Sequence, residues 1–216
     1  MVRKQGVRGL IISFISSSPG NLHPPPRDLT RDSTLLEHAY GPASDLPALL
    51  RAGRTVTVIR PLLQPDLSAV AEIHARTFPR QRHSREWIEC NWRAFPRMQY
   101  FVAAENEQAL GFIHWSQKSG FREQVVLELE QIGVHPAHQG RGIGERLIRE
   151  SLPQVVEHLR ARGAQLKHVL VTTRADNQAQ RLYRRCLGAE VEATLTNLYS
   201  ADEVVMIARN PLPGGA

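Results

Sequence analysis

Two glutamates and three glycines lie close together in the middle of the chain. Glu128 and Glu130 alternate with Val125, Leu127 and Leu129 in a β-rich run. Both carboxylates therefore share one strand face, and either could act as a general base, directly or through water. His135-Pro136 breaks the run, after which Gly140, Gly142 and Gly144 lead into an apolar stripe of helical period. Glycine lets a backbone come close to a ligand and adopts φ values that other residues avoid. At a helix start the unpaired N–H groups and the helix dipole favour an anion. Strand, glycine turn and helix together predict a phosphate or pyrophosphate site.

The spacing narrows the ligand. A dinucleotide-binding G-x-G-x-x-G fails, because Glu145 fills the last position when read from Gly140 and Leu147 fills it when read from Gly142. A Walker A loop fails because no Gly-Lys-Ser/Thr follows. Gln139-Gly140-Arg141-Gly142-Ile143-Gly144 instead resembles the Q/R-x-x-G-x-G/A acyl-coenzyme A signature of the GNAT superfamily of N-acetyltransferases. Ile132-Gly133-Val134-His135-Pro136 looks like that family's fourth strand and its exit.

The resemblance implies an α/β (α+β) fold. Its mixed, largely antiparallel sheet of six to seven strands would splay beside the fourth strand, leaving a slot for the pantetheine arm between about four flanking helices. Carried over by position, Ile132, Gly133 and Val134 lie on the pantetheine stretch, and Gln139, Gly140, Arg141, Gly142, Ile143 and Gly144 form the phosphate cradle. The Val134 amide becomes the candidate oxyanion donor. Acyl transfer to an amine needs a base for the ammonium proton and benefits from an acid for the departing thiolate. Glu128 and Glu130 resemble the family's general-base positions, and the sequence leaves open which one acts.

For the acid, the family's second signature reads Asn-x-x-Ala-x-x-Leu/Phe-Tyr, followed by Gly-Phe. Here Asp176-Asn177-Gln178-Ala179 is followed by Leu182-Tyr183-Arg184 and then Gly188-Ala189. Aligned on Ala179 and Tyr183, the asparagine position falls on Asp176; aligned on Asn177 and Gly188, the tyrosine position falls on Arg184. One residue turns a helical side chain by about 100°, so the two alignments aim different groups at the sulfur. Tyr183 is preferred, because a phenol donates a proton and arginine stays charged. Asp176 and Asn177 join the candidate cofactor-binding set.

These residues need elements to position them. Thr55–Arg60 reads as a first strand, and Pro65-Asp66-Leu67 opens a helix ending near Phe78-Pro79. Ser84 is the expected cap of a second helix through Arg93. Strands at Tyr100–Ala104 and Leu110–Trp115 flank a turn at Asn106 and lead into the central motif. After the glycines, Ile143, Leu147, Ile148, Leu152, Val155, Val156 and Leu159 mark a helix, in which Pro153 is expected to kink or shorten the run near Arg149–Leu152, at roughly 3 kcal/mol. A strand at His168–Thr173, a helix at Ala179–Leu187 and strands at Val191–Leu195 and Val204–Ala208 complete the order. That order matches the GNAT pattern from Thr55 to Arg209. The division is an extension over 1–54, a domain over 55–210 and a tail over 211–216.

The first 54 residues carry Ser16-Ser17-Ser18-Pro19-Gly20 and Pro24-Pro25-Pro26, and read as a mobile arm with a short helix at 45–50. Leu10–Ile15 hints at a secretory signal, but its apolar core is short and no A-x-A site follows. No run approaches the ~20 apolar residues of a membrane span. Cys90 and Cys186 form no Cys-x-x-Cys pair, and the nine histidines form no ligand pattern. The expectation is a cytoplasmic protein without a disulfide framework or metal. A net charge of +6 suits coenzyme A, and the scattered Lys and Arg argue against a dedicated nucleic-acid surface.

In the family the acceptor approaches between two loops, here Pro79–Arg85 and Thr196–Asp202. The first is basic, which suits an acidic peptide or a carboxylate-bearing amine. Asn197-Leu198-Tyr199 and Asp202–Met206 are distantly similar to the tail of protein N-terminal acetyltransferases. The sequence thus predicts an acyltransferase that moves acetyl from acetyl-CoA to a primary amine of a small molecule or a peptide N-terminus. It would act by direct attack in a ternary complex, as a monomer or homodimer. Two alternatives stand beside it: a degenerate acyl-CoA-binding sensor module, and a nucleic-acid-associated protein tethered by its N-terminal arm.

Overall fold

The computed structural model describes residues 56–209 and Pro211. The expected extension over 1–54, its short helix, the apolar run at 10–15 and the tail after 211 lie outside the described residues. Within them the chain runs β1 (Val58–Pro61), α1 (Leu67–Thr77), α2 (Ser84–Trp92), β2 (Met98–Glu105), β3 (Gln108–Gln117), β4 (Gln124–Val134), α3 (Ile143–Ala161), β5 (Gln165–Arg174), α4 (Gln180–Leu187), β6 (Glu190–Leu195) and β7 (Glu203–Ala208). The seven strands form one sheet in the order β1-β2-β3-β4-β5-β7-β6. Every pairing is antiparallel except β4 with β5.

Helices cover both faces because both faces are apolar. One face presents Phe101, Ile113, Trp115, Leu127, Leu129, Val169 and Val171 to α3 and α4, which answer with Leu147, Val155, Leu159, Tyr183 and Leu187. The other presents Tyr100, Val102 and Phe112 to Leu67, Val70, Ile73 and Ile88 of α1 and α2. Each large side chain buried in this way stabilises the fold by roughly 1.5–3 kcal/mol. The β2–β3 hairpin closes through Asn106 and Glu107, at φ 46° and 66°. Two successive left-handed residues are what a two-residue hairpin turn demands.

Three local expectations are revised. The first strand begins at Val58, three residues after Thr55. Ser84 is the first residue of α2 rather than its cap; His83 occupies the cap at φ 55°, and the Ser84 hydroxyl lies 2.9 Å from His74 Nδ1. Pro153 does not shorten α3, which continues to Ala161. Pro153 and Arg149 are both exposed, so water can take the Arg149 carbonyl that the proline leaves without a donor.

The alternation along β4 also breaks. Trp115 pairs with Leu129 but His114 pairs with Gln131, so Glu130 is an extra residue in a β-bulge. Ahead of the bulge Leu127 and Leu129 pack towards α3. Beyond it Gln131 faces α1 and α2, bonded to side chains of α2 and of the loop between the helices and packed against His74 of α1.

Candidate active site

A gap opens in the sheet beside β4. Its pairing with β5 ends at Glu128↔Leu170, while β5 stays paired with β7 as far as Arg174↔Glu203. Residues 129–134 of β4 are therefore unpaired on that side. His135 N–H donates to the Leu110 carbonyl at 2.8 Å, which marks 110 and 135 as a hydrogen-bonded pair. Alternation along an antiparallel ladder then makes Ile113↔Ile132 and Gly111↔Val134 non-bonded pairs. The N–H and C=O groups of Ile132 and Val134 consequently point away from β3 and into the gap. The Gln139 side-chain amide reaches one of them, donating to the Val134 carbonyl at 3.1 Å.

Gly133 lies between them for a steric reason. A Cβ there would stand 2.8 Å from both Phe112 Cε1 and Thr77 Oγ1. No residue with a side chain fits without displacing α1 or the ring.

The gap runs up to the glycine turn. Gly140 and Gly142 have φ of 75° and 74°, and nothing stands within 4 Å of where their Cβ atoms would be. Gly142 is the N-cap of α3, whose first-turn N–H groups have no intrahelical acceptor. At Gly144 a Cβ would make only ordinary contacts, 3.4 Å from Leu182 Cδ2 and 3.9 Å from Ile132 Cδ1, where α3, α4 and β4 meet. Ile143 is buried in the core, so it offers only its backbone. The Arg141 guanidinium is committed to Glu105, which the Thr57 hydroxyl also reaches, and to His138 Nδ1 at 3.1 Å. What Arg141 presents to the cradle is therefore its amide, not its charge.

The two glutamates lie on the α1/α2 face and differ in what holds them. Glu128 forms an ion pair with Lys118 at 2.6 Å and accepts from the Thr172 hydroxyl at 3.0 Å, across the apex of the gap. Glu130 has no hydrogen-bond or ion-pair partner among the described residues. Burial, followed by the neighbouring charge of Glu128, raises its pKa, against a smaller pull from Lys118 and Arg97. A carboxyl group whose pKa is raised by its surroundings and that has no partner of its own is suited to exchanging protons.

Tyr183 lies on the opposite face of the sheet, in α4. It is 5% exposed within the α3/α4 core, while Arg184 is exposed to solvent. Burial pushes the phenol up to about 12, so it stays a proton donor at neutral pH. Asn177 donates to Thr173 Oγ1 at 2.8 Å and accepts from the Ala179 amide at 2.9 Å, an Asx turn that leads into α4. Asp176 is exposed and paired with Arg174 at 2.7 Å. The Asn177 side chain fixes the start of α4, while Asp176 is tied back to the end of β5.

The two loops over 79–85 and 196–202 touch: Arg80 of the first donates to Ser200 Oγ of the second at 3.0 Å. The basic character of the first loop is partly spent, since Arg85 bonds to Ser68 and pairs with Glu89. Sequence reasoning missed Lys118 and Thr172, which hold Glu128, and the polar group of His74, Gln81, Trp87 and Gln131, in which His74 and Gln131 are buried. One signal was available: Gln131 is a polar residue at a position where the alternation of Val125, Leu127 and Leu129 calls for an apolar one.

Residues 67–189 match the model of the acetyltransferase (GNAT) family. The chain belongs to the GNAT acetyltransferase family. Over 133 residues it is 32% identical to the N-alpha-acetyltransferase RimI of Mycobacterium tuberculosis, covering 59% of this chain and 74% of that one. Over 76 residues it is 41% identical to the mycothiol acetyltransferase of Nocardia farcinica, a match covering 35% of this chain and only 23% of that protein's length. Among solved structures, Arabidopsis thaliana NAA60 in complex with acetyl-CoA superposes with a TM-score of 0.58 at 22% identity, over 70% of this chain and 97% of that one. The ribosomal-protein-S18-alanine N-acetyltransferase of Escherichia coli gives 0.57 at 22% identity, over 74% and 97%. These GNAT relatives are N-acetyltransferases, and the splayed seven-stranded sheet is the fold the family shares.

Proposed function

We propose that this GNAT protein transfers an acetyl group from acetyl-CoA to the primary amine of a small molecule or of a peptide or protein N-terminus, by direct attack in a ternary complex. The observation that carries the reading is the gap beside β4. Backbone groups of Ile132 and Val134 point into it, and it ends on the left-handed glycines at the head of α3. The cradle fits a pyrophosphate: open space at Gly140 and Gly142, unpaired N–H groups and the positive end of a 19-residue helix. The gap fits an extended arm that reads backbone.

Acetyl-CoA supplies the activated carbonyl. On the protein side, Glu130 takes the ammonium proton and so frees the lone pair of the amine, with Glu128 beside it as the alternative base. The Val134 N–H lies on the gap side of β4, where it can stabilise negative charge developing on the carbonyl oxygen. Tyr183 donates a proton to the leaving sulfur. The acceptor enters beneath the bridge between Arg80 and Ser200. With Arg85 engaged, Arg82 and His83 are what the first loop offers to an anionic acceptor. In the same reading the protein works in the cytoplasm, as a monomer or homodimer.

Thiol release from acetyl-CoA across a panel of amines and short peptides tests the proposal. Turnover on one class, with initial-rate lines that intersect, supports a ternary complex. Tight acetyl-CoA binding without turnover on any amine would instead favour a sensor or interaction module.

A further inference from the structure

The polar group between β4 and the first two helices, buried at His74 and Gln131, has a determined hydrogen-bond direction. Gln131 is 7% exposed. Its Oε1 lies 2.9 Å from Trp87 Nε1, and its Nε2 lies 2.9 Å from Gln81 Oε1. An indole nitrogen only donates, so the Gln131 carbonyl must face Trp87 and its amide must face Gln81. Gln81 then presents its own carbonyl. His74 Nε2 is 3.0 Å from that same oxygen, so it carries the ring proton and donates. The remaining lone pair, on His74 Nδ1, accepts from the Ser84 hydroxyl at 2.9 Å. Burial lowers the His74 pKa, in keeping with a neutral ring. The 3.3 Å approach of Gln131 Nε2 to His74 Nε2 is then packing between two donors. One amide thus ties together α1, the loop after it, α2 and β4.

We propose that Gln131 is a positioning residue for the acceptor: it latches the loop over 78–83 and helix α2 onto the β4 bulge, and so sets Glu130 against the incoming amine. The inference rests on the acetyltransferase reading above. Gln131 follows Glu130 directly, so its anchoring fixes the backbone that aims the carboxylate. Its partner Gln81 belongs to the loop whose Arg80 bonds to Ser200, so the same latch holds the near wall of the acceptor entrance. Ile132 follows Gln131 in the chain, but no hydrogen bond of the latch reaches the glycine turn or the gap-side groups of Ile132 and Val134. Losing it should disturb the acceptor and spare acetyl-CoA.

The test uses Gln131→Met in the full chain, which keeps the length of the side chain and removes its hydrogen bonds. Three readouts are needed: hydrogen exchange over 78–92, acetyl-CoA affinity, and KM and kcat for the amine that wild type turns over best. The expected result is faster exchange over 78–85, acetyl-CoA affinity within about twofold, and an acceptor KM raised about tenfold or more, with a smaller fall in kcat. Trp87→Phe, which deletes the donor at a half-buried site, should reproduce the effect, and the double variant should be no worse than Gln131→Met alone. Unchanged exchange, or lower thermal stability with KM unchanged, would overturn the proposal. If Gln131→Met fails to fold, Trp87→Phe carries the same three readouts. If wild type acetylates no amine, the acetyltransferase reading falls, and the exchange data still decide whether the latch exists.

Discussion

Gly142 and Gly120 form a matched pair for testing the cradle. Gly142 has φ of 74° and Gly120 φ of 80°, and at neither would a Cβ meet any atom within 4 Å. Alanine at either site suffers the same left-handed strain of roughly 1–2 kcal/mol. For a domain of this size that lowers Tm by about 2–8 °C, and by similar amounts in the two variants. Function should separate them. At Gly142 the added methyl fills the space in front of the α3 N–H groups, where a phosphate oxygen would sit. Losing one hydrogen bond to a charged group costs about 1.5–3 kcal/mol, so acetyl-CoA should bind about tenfold to a hundredfold more weakly in Gly142→Ala. Gly120→Ala should bind it as wild type does. Titration calorimetry with acetyl-CoA and thermal melts of both variants give the comparison. Equal affinities in the two variants, whether both kept or both lost, would refute the assignment of the turn as the phosphate cradle.

Other outcomes follow from the same geometry. Glu130→Gln should lower kcat by about 10²–10⁴-fold while leaving acetyl-CoA affinity intact. Because burial raises the pKa of Glu130 and a base must be unprotonated to act, the wild-type rate should rise with pH through a value above 4.5, a limb that disappears in the variant. Tyr183→Phe should slow thiol release without a large loss of stability, since the ring keeps its packing; with the phenol held at about 12, wild type should show no alkaline limb from this group near neutral pH. His114 is buried and stacked on Tyr100 at 4.1 Å, and burial, followed by the charge of Arg97, lowers its pKa to about 3. Between about 3 and 6.5 the unfolded chain binds this proton and the folded chain does not. Stability is therefore complete above 6.5 and falls as pH drops, by about 1.4 kcal/mol per pH unit from this group. Urea unfolding of wild type and His114→Phe across pH 4–7 should show a shallower slope in the variant.

Much of this architecture is legible in the sequence because its signals are local. The alternation at Val125–Leu129, the glycines at Gly140 and Gly142 and the helical stripe from Ile143 to Leu159 each depend on neighbours a few residues away. Tyr183 and Arg184 show how a small ambiguity resolves in three dimensions: one helical step of about 100° puts one in the core and the other in solvent. What stayed hidden depends on pairing across the sheet. Nothing local marks Glu130 as a bulge residue; the mismatch exists only between Leu129–Gln131 and His114–Trp115. Lys118, one residue past the end of β3, and Thr172 of β5 reach Glu128 from outside β4, so the difference between the two glutamates could not be read along β4 alone. The Ser84 cap failed because His74 competes for the hydroxyl from ten residues away. Pro153 was tolerated because it falls on the wet side of α3.

The most direct test of the account is to incubate the protein with acetyl-CoA and its best amine, then weigh both amine and protein by mass spectrometry. Direct attack in a ternary complex predicts one acetyl group gained by the amine, a matching amount of free coenzyme A, and a protein of unchanged mass. An acetylated protein, or coenzyme A released without acetylated amine, would contradict it.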